Sequence, residues 1–432
     1  MVPGRQVGLA DDFFKYGIYL ERDSMTKRLY VTGGWGYGNK GDNAILMGML
    51  ETFRRDFKDV ALHMTSFEPT ELKRMHGLNA QVSIHKLLTW KNPLSYFRRL
   101  ALMIWSATGV MLSPALNRHL REMAASDAVV MGGGGYFNDA WKDALPSRIW
   151  EIRFAKAAGT PLIIYGQTVG PFSEENCANL LKTSLDSVAY IAYRDVQSAK
   201  TLRLADYSES TMGLTADEAN LIPKIATPAD RAKFCPNGKS KLVGVMIQHL
   251  RRHESPTGAS PRGQITDNTR YYDEVCGALA RIAKDGDVSF VIIPSTTWDQ
   301  SSCDKVAEGL AAKGIKDVHL LNDPDIDTFV RACQSVDVMI STNMHPVIIA
   351  ATAGIPSIAL SYHYKLDDFM ASIGTAANVA RIDNFSADWI VTQFGQVVDK
   401  MDALQQSIRK DHEGVKEMAR RNGAALRQLI YR

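Results

Sequence analysis

The sequence predicts a two-domain α/β protein in which two parallel β-sheets face each other across a cleft. The chain has 432 residues, more than a single hydrophobic core usually supports, so two domains are expected. Short apolar runs alternate with helical segments in both halves, a pattern typical of parallel sheets covered on both faces. Prolines and charges interrupt this pattern over Pro223–Lys241, which predicts a linker between domains at residues 1–235 and 236–432.

In the first half, apolar runs predict five strands, and helical spacing predicts a helix after the first of them. The strands are Arg28–Thr32, Val60–Met64, Ala128–Met131, Pro161–Tyr165 and Val188–Ala192, and the helices are Asn43–Phe53 and one beginning near Asp195. The second half repeats the alternation. Its strands are Leu242–Ile247, Val288–Ile293, Val318–Leu321, Val336–Ile340 and Ser357–Leu360, and its helices are Tyr271–Ala283, Asp325–Cys333 and Leu404–Leu429. We expect the last helix to present a solvated charged face and to pack back on the first domain.

The composition excludes several classes of protein. A net charge of +3 is too small for a general nucleic-acid surface. Five scattered cysteines without a CxxC pair predict free thiols in a reducing compartment and no zinc or other metal site. Asp11, Asp12 and Lys15 lie where a signal peptide would be apolar, so a cytoplasmic location is expected.

One apolar stretch, Leu100–Leu112, has two interpretations. It follows Arg98 and Arg99 and is too short to cross a bilayer. We expect a buried helix of the first domain. The alternative is peripheral membrane contact at the inner face of the membrane, by a helix lying in the interface with its arginines at the lipid headgroups.

The loop Gly33–Gly41 holds five glycines in nine residues and joins the first strand to the first helix. Glycines permit positive φ and close approach of the backbone to a ligand. Amides at the start of the helix favour an anion or a sugar hydroxyl, and Asp42 or Asn43 is expected to cap that helix. The loop lacks the Gly-Lys-Ser/Thr of a P-loop. We therefore predict a ligand-binding loop, with a tight structural turn as the alternative.

Polar and glycine-rich residues also follow the later strands. Gly132–Gly135 precedes Asn138 and Asp139, and Gln167 lies in the segment Gly166–Pro171. Ligands of parallel sheets bind beyond the carboxyl ends of the strands, so these residues are predicted to line the cleft. Close packing against a helix is the alternative for the four glycines.

Four polar or charged positions are candidates for chemistry. Arg194 could hold a carboxylate or a phosphate, or could pair with Asp195 or Asp217 to brace its loop. Asp217 is a possible base or hydroxyl acceptor at another strand end. In the second half, His345 directly precedes an apolar helix and shares a predicted rim with Lys365.

Taken together and in order, these motifs resemble those of the polysaccharide pyruvyl transferase family, from about Tyr30 to Phe369. The matching residues are Gly36, Asn39, Gly41, Asp42, Asn43, Ala44, Ile45, Leu46, Asp127, Gly132–Gly135, Gly166, Gln167, Gly170, Pro171, Arg194, Asp195, Ser198, Thr215, Asp217, Ser341, His345, Pro356, Tyr362 and Lys365. Each motif alone is weak, but six in the right order are specific.

The resemblance implies two Rossmann-like domains arranged as in GT-B glycosyltransferases. It also implies transfer of pyruvate from phosphoenolpyruvate onto two hydroxyls of a sugar, in a cell-surface glycan or its lipid-linked precursor, to form a cyclic ketal. No cofactor is implied beyond phosphoenolpyruvate as co-substrate. The implied catalytic residues are His345, Asp217 and Arg194, and the implied donor-binding residues are Asn343, Lys365, His345 and Arg194. The implied acceptor-binding residues are Gly36, Gly38, Asn39, Gly41, Asp42, Gly134, Gly135, Asn138, Asp139 and Gln167.

One departure from the family pattern keeps other functions open. Asn343 stands where the family has an arginine that binds phosphoenolpyruvate, and Gln248 stands where a second arginine is frequent. Asparagine keeps a hydrogen bond but lacks the permanent charge that a trianionic donor favours, and Arg251, Arg252 or Lys365 could replace it. The alternatives are a GT-B-type glycosyltransferase that uses a nucleotide sugar and a catalytically silent carbohydrate-binding or scaffold protein. The oligomeric state is left open.

Overall fold

The architecture was analysed in a computed structural model. It describes residues 26–36, 38–88, 93–138, 145–170, 172, 179, 184–204, 207–248 and 268–431. The expectations for Asp11, Asp12, Lys15, Asp139, Arg251 and Arg252 therefore lie outside the described residues.

The first domain is built on a parallel sheet of eight strands in the described part of the chain. Its order is β3-β2-β1-β4-β6-β7-β8, with β5 paired to the end of β6. The strands are β1 Lys27–Thr32, β2 Val60–Ser66, β3 Ala80–Val82, β4 Ala128–Met131, β5 Gly134–Phe137, β6 Leu162–Val169, β7 Tyr190–Tyr193 and β8 Met212–Leu214. Every residue of β4 and β6 is buried, as expected for central strands covered by helices on both faces.

The second domain is a six-stranded parallel sheet in the order β11-β10-β9-β12-β13-β14. Its strands are β9 Lys241–Met246, β10 Val288–Ile292, β11 Val318–Leu320, β12 Val338–Ser341, β13 Ser357–Ser361 and β14 Val379–Arg381. Two parallel sheets with helices on their faces confirm the predicted fold class.

Helices connect the strands in both domains. In the first domain they are α1 Lys40–Asp56, α2 Pro69–His76, α3 Ile84–Leu88, α4 Pro93–Thr108, α5 Pro114–Ala124, α6 Leu145–Ala157 and α7 Val196–Leu204. They continue with α8 Pro228–Phe234, α9 Asn268–Asp285, α10 Gln300–Ala312, α11 Ile326–Ser335, α12 Met344–Thr352, α13 Tyr364–Ser372, α14 Ala387–Asp399 and α15 Met401–Ile430. Short 3-10 turns lie at Glu209–Thr211, Glu218–Leu221 and Ala376–Asn378.

Two segments differ from the sequence expectation. The strand expected to end at Tyr165 continues through Val169, because Gly166 adopts φ +64° and forms an irregularity that the sheet absorbs. The expected linker contains α8, whose start is closed by a capping box between Thr227 and Asp230. Local capping chemistry therefore builds a helix where prolines indicated only a connection.

The two domains share a hydrophobic core at their contact. One continuous apolar cluster includes side chains of α1 from the first domain and of α11 and α12 from the second. Two further clusters cover the remaining face of each sheet. The last helix, α15, lies against the first domain, where Asn422 Nδ2 donates to the Ala216 carbonyl at 3.0 Å and His412 Nε2 lies 2.9 Å from Asn220 Oδ1. The domains are thus joined by packing as well as by the connecting chain.

The apolar stretch Leu100–Leu112 does not form the expected buried helix. Helix α4 ends at Thr108, and Leu100, Met103, Val110 and Leu112 are all about half exposed or more. The expectation of a buried helix is wrong because α4 turns only a narrow strip, including Ala101 and Leu102, toward the core.

Candidate active site between the two sheets

The carboxyl ends of the two sheets meet across the domain boundary. In a parallel sheet all strands end at one edge, so the loops that follow β1, β4, β6, β7 and β8 gather on one side. The second sheet presents the loops after β10, β12 and β13 in the same way. Backbone hydrogen bonds join the two edges: Lys40 N donates to the Ser295 carbonyl at 2.9 Å, and Thr297 N donates to the Gly38 carbonyl at 3.0 Å.

Two glycines of the strand ends are explained by packing. A Cβ on Gly33 or on Gly132 would overlap the indole ring of Trp35. Trp35 is completely buried, and its Nε1 donates to the Thr65 carbonyl at 2.7 Å. These glycines therefore make room for a core tryptophan. The same holds for part of the Gly132–Gly135 segment, where close packing was the alternative.

Two other glycines allow the second domain to approach. A Cβ on Gly38, where φ is +24°, would lie 2.7 Å from Thr297 Oγ1. A Cβ on Gly41 would overlap the imidazole of His345. The glycine-rich loop is thus the surface on which the second domain rests, and this contact places His345 directly above the start of α1.

The helix after the loop is capped three residues before Asp42, the earlier of the two expected cap positions. Asn39 is the N-cap of α1, and its Oδ1 accepts from Gly41 N at 2.9 Å. The expectation that Asp42 or Asn43 caps the helix is wrong, because both lie inside its first turn. Asn39 Nδ2 instead donates to Asp42 Oδ2 at 2.9 Å.

Asp42 lies in the first turn of α1 and is partly exposed to solvent. Burial raises the pKa of its carboxyl to about 6, although the nearby His345 and Arg194 oppose the rise. A carboxyl in this range exchanges its proton near neutral pH.

Arg194, Asp217 and His345 come together in one cluster. Arg194 Nη1 forms a close ion pair with Asp217 Oδ2, and His345 Nε2 lies 3.5 Å from the same oxygen. Burial alone would raise the pKa of Asp217, but Arg194 and His345 bring it well below its usual range. Of the alternatives for Arg194, the structure shows the pair with Asp217. Asp217 is therefore a fixed carboxylate that holds both neighbours in place.

A second layer of polar side chains orients Arg194. Its Nε donates to Thr168 Oγ1 at 3.1 Å, and Thr168 in turn donates to Asp195 Oδ2 at 2.7 Å. Ser198 donates to Asp195 through both its N and its Oγ, at 2.8 Å each. The sequence pattern marked Asp195 and Ser198 but did not indicate Thr168, which lies in the unexpected extension of β6.

Lys365 reaches from the second domain to the glycine segment of the first. A Cβ on Gly135 would lie 2.8 Å from Lys365 Nζ and 3.7 Å from Arg194 Nη2. Two cations from different domains therefore converge over one glycine. Lys365 lies in the first turn of α13, whose N-cap His363 accepts from Lys365 N at 3.3 Å.

Asn343, at the position of the family arginine, is the N-cap residue of α12. Its Oδ1 accepts from the Tyr362 hydroxyl at 3.3 Å, and its backbone N donates to Ser341 Oγ at 3.0 Å. The adjacent Gln248 lies at the end of β9, where its N donates to Thr342 Oγ1 at 2.8 Å. Both amides are thus part of the second sheet's edge.

Two predicted acceptor residues serve as braces in this structure. Gln167 is completely buried and its Nε2 donates to the Gly132 carbonyl. Asn138 Nδ2 donates to the Gly135 carbonyl at 2.6 Å. Both hold the glycine segment from behind, and the predicted neighbour Asp139 lies outside the described residues.

A buried ion pair near the cleft could not be recognised from the sequence. Arg148 and Glu151 on α6 are almost completely buried and lie 2.9 Å apart. Arg148 Nη2 also donates to the Gly33 carbonyl at 3.1 Å, and its guanidinium stacks 4.5 Å from the Tyr136 ring centre. This pair braces the glycine-rich loop. Its sequence signal, two opposite charges three residues apart, is usual for an exposed helix face.

Glu218 was also missed, although it follows Asp217 directly. It accepts from Thr52 Oγ1 at 2.9 Å, and a Cβ on Gly48 would overlap its carbonyl oxygen. Burial raises the pKa of its carboxyl to about 8, so it is protonated at neutral pH. The turn carrying Asp217 is therefore pressed against α1.

The described ranges contain neither a metal cluster nor a membrane-spanning helix. No group of three or more His, Cys, Asp or Glu side chains there is arranged to hold a metal ion. None of the helices described combines the length and hydrophobicity needed to cross a membrane. The described cysteines, Cys235, Cys276, Cys303 and Cys333, are buried and unpaired.

Solved structures with the same fold carry nucleotide sugars. The chain superposes on HepE from Anabaena in complex with UDP-glucose with a TM-score of 0.57 at 11% identity, covering 94% of this chain and 98% of HepE. It superposes on UDP-GlcNAc 2-epimerase from Neisseria meningitidis, bound to UDP-GlcNAc, with a TM-score of 0.60 at 14% identity, covering 93% and 100%. At these identities the likeness shows the two-domain GT-B-type fold.

The sequence relatives are more specific. The chain is 21% identical over 417 residues to the amylovoran biosynthesis protein AmsJ of Erwinia amylovora, covering 89% of this chain and 95% of AmsJ. Residues 39–364 match the family described as polysaccharide pyruvyl transferase. That range begins at the cap of α1 and ends at the start of α13, so it contains both edges of the cleft and the cluster of Arg194, Asp217 and His345. The chain therefore belongs to the polysaccharide pyruvyl transferase family, a family of transferases.

Proposed function

We propose that the protein transfers pyruvate from phosphoenolpyruvate to two hydroxyls of a sugar, in a cell-surface glycan or its lipid-linked precursor, and forms a cyclic ketal. The observation that carries the proposal is the meeting of His345 from one domain with Arg194 and Asp217 from the other. Phosphoenolpyruvate is a compact trianion whose reacting carbon needs a proton, so a donor site needs cations beside a proton donor.

The cations of the proposed donor site lie on the two sides of the cleft. Lys365 Nζ and the Arg194 guanidinium both border Gly135, where they would face the phosphate and the carboxylate. The N-terminus of α12 contributes backbone amides, which favour anions. Asn343 would then contact the donor by a hydrogen bond, and Lys365 would supply the positive charge that the family arginine carries elsewhere.

The proton steps divide between His345 and Asp42. Protonation of the methylene carbon by His345 produces an oxocarbenium-like centre, which the first sugar hydroxyl attacks. The bond between this carbon and the phosphate oxygen then breaks, and the second hydroxyl closes the ring at the same carbon and gives its proton to the departing phosphate. Because Asp217 is locked as a carboxylate by Arg194, it orients His345 and balances its charge. Asp42, with a pKa of about 6, is the better acceptor for a hydroxyl proton.

The same geometry supports a position for the sugar acceptor. Asp42 and its partner Asn39 lie at the first-domain edge, at the start of α1. We assign the sugar to Asp42 and Asn39, and the anionic donor to the space between Lys365 and Arg194.

The proposal is tested by incubating the protein with phosphoenolpyruvate and candidate glycans and measuring released phosphate. Release that requires both substrates, with a pyruvate ketal in the product by NMR, is the expected result. Absence of both phosphate release and phosphoenolpyruvate binding across an acceptor panel would overturn the proposal.

A second candidate is a glycosyltransferase that uses a nucleotide sugar. It is favoured by Asn343 in place of the arginine and by solved structures of the same fold that hold UDP-glucose and UDP-GlcNAc. Thermal unfolding separates the two candidates. Stabilisation by UDP-glucose and not by phosphoenolpyruvate would favour the glycosyltransferase.

A further inference from the structure

Helix α4 and the segment after it expose an unusual concentration of apolar side chains. Ten large hydrophobic side chains are exposed among the described residues, and seven of them lie within residues 94–112. The remaining three, Val196, Trp298 and Tyr431, are scattered over other elements. Such a concentration marks an interaction surface, whereas isolated exposed side chains do not.

The exposed side chains form a ridge along one face of the helix. Tyr96, Leu100, Met103 and Ala107 follow each other at spacings of four, three and four residues and are all exposed. The opposite face is also apolar, since Ala101 and Leu102 are buried and Trp105 packs on Phe154 with ring centres 5.0 Å apart. We call the outward set, extended by Phe97, Val110 and Leu112, the apolar ridge. A helix facing water carries polar side chains on that side.

The chain segment that contains the apolar ridge has an excess of positive charge. Residues 72–121 contain eight Lys and Arg and no Asp or Glu, in a chain whose net charge is only +3. Lys86 and Arg74 pair with glutamates outside this segment. Arg98 and Arg99 flank the ridge on α4 itself, where they donate to the carbonyls of Leu87 and Leu88. Arg118 and Arg121 follow on the exposed side of α5.

We propose that the apolar ridge docks on an anionic phospholipid bilayer. A helix of sixteen residues is about 24 Å long, which is shorter than a spanning helix but sufficient to lie in the headgroup region. The uncharged ridge would enter the acyl boundary, and the arginines beside it would meet lipid phosphates. An apolar stripe beside an excess of positive charge matches a bilayer with anionic headgroups.

The position of the ridge relates it to the acceptor side of the cleft. Helix α3, which packs on α4, begins directly after the carboxyl end of β3, where Ser83 N donates to the Ser66 carbonyl at 2.8 Å. Helix α3 thus begins at the edge of the first sheet where its parallel strands end, and the ridge lies on the next helix along the chain. If the acceptor is a lipid-linked saccharide, which rests on the proposed function, docking would bring that lipid to this edge.

The test is flotation of the full-length protein with vesicles of phosphatidylcholine, with or without phosphatidylglycerol. We expect co-flotation with the phosphatidylglycerol vesicles, weakened by high salt because exposed charges are screened. The double variant Leu100→Gln/Met103→Gln should partition at least about tenfold more weakly, because it removes two apolar side chains from the interface. Both positions are exposed, so the fold is retained.

Val196→Gln is the matched control, since Val196 is also exposed, but on α7. It should float like the natural protein. Absence of flotation with anionic vesicles, or equal flotation of the double variant, would overturn the proposal. It would also be overturned if the ridge variant changed only the sedimentation of lipid-free protein, since the ridge would then be a contact between copies of the chain. Phosphate release with a water-soluble acceptor should be unchanged in the double variant, which separates failure of docking from failure of the proposed function.

Discussion

The two edges of the cleft are built from different kinds of residues. The first-domain edge consists of glycines and buried, hydrogen-bonded charges, including the pair of Arg194 with Asp217. The second-domain edge consists of the first turns of α12 and α13, which carry His345 and Lys365. The glycines of one edge leave the space that the side chains of the other fill, so neither domain alone contains the site.

This difference separates residues that do chemistry from residues that allow two surfaces to meet. Gly41 and Gly38 are needed because the second domain contacts them. Asp42 and His345 are needed for the proposed proton transfers.

Removing the histidine should have the largest effect. His345→Ala is expected to lower the rate of phosphate release by about 10²–10⁴, the range for loss of a general acid. Binding of phosphoenolpyruvate, measured by calorimetry, should weaken much less. His319→Ala, on the far strand β11, is the control and should keep full activity. A His345→Ala enzyme with normal turnover would place the proton donor elsewhere.

The pH dependence of kcat/KM should reflect the ionisation of the Asp42 carboxyl. Its folded-state pKa of about 6 means that the carboxylate needed to accept a proton is lost as the pH falls through 6. We therefore expect kcat/KM to fall about tenfold per pH unit below 6. Asp42→Asn should be slow at every pH and lack this limb. A limb that persists in the variant would belong to another group.

Adding one methyl group at Gly41 should show whether the close contact with His345 is needed for the reaction. The Cβ of Gly41→Ala overlaps the His345 ring and should displace it, lowering the rate at least about tenfold because small misplacements in an active site are costly. Gly414→Ala is the matched control, because a Cβ there meets nothing within 4 Å. In the middle of α15 it should preserve activity and stabilise the fold by about 0.5–1 kcal/mol. Equal activities of the two variants would contradict the proposed contact.

The last effect concerns the stability of the fold and not the rate of the reaction. Glu218 has a pKa of about 8 in the folded chain against 4.5 for an ordinary glutamate, so between these values the folded state holds a proton that the unfolded state has released. The free energy of unfolding should therefore fall by about 1.4 kcal/mol for each unit of rising pH in this window. Glu218→Gln removes this contribution and should be the more stable protein near pH 8, with similar stability near pH 4.5. Urea unfolding at the two pH values measures the difference, and parallel pH profiles would contradict it.

The strands near the centre of each sheet could be predicted from the sequence because they are continuous apolar runs. Ala128–Met131 was located to the residue, and α1 was recognised from its spacing. The sequence did not indicate short edge strands such as β3 and β8, which have three residues each and mixed burial. The prediction that α4 is buried was wrong because α4 is apolar on two faces. Its sequence does not show whether the outer face contacts protein.

The fold class and the family motifs could be predicted from the sequence alone, since they depend on local periodicity and on the order of residues along the chain. Only the tertiary structure decided what each motif residue contacts. It assigned Gly33 and Gly132 to Trp35, Gly41 to His345, and Arg194 to Asp217. The physical reason is that these contacts join residues far apart in the chain, and their distances depend on how two separately built sheets pack against each other.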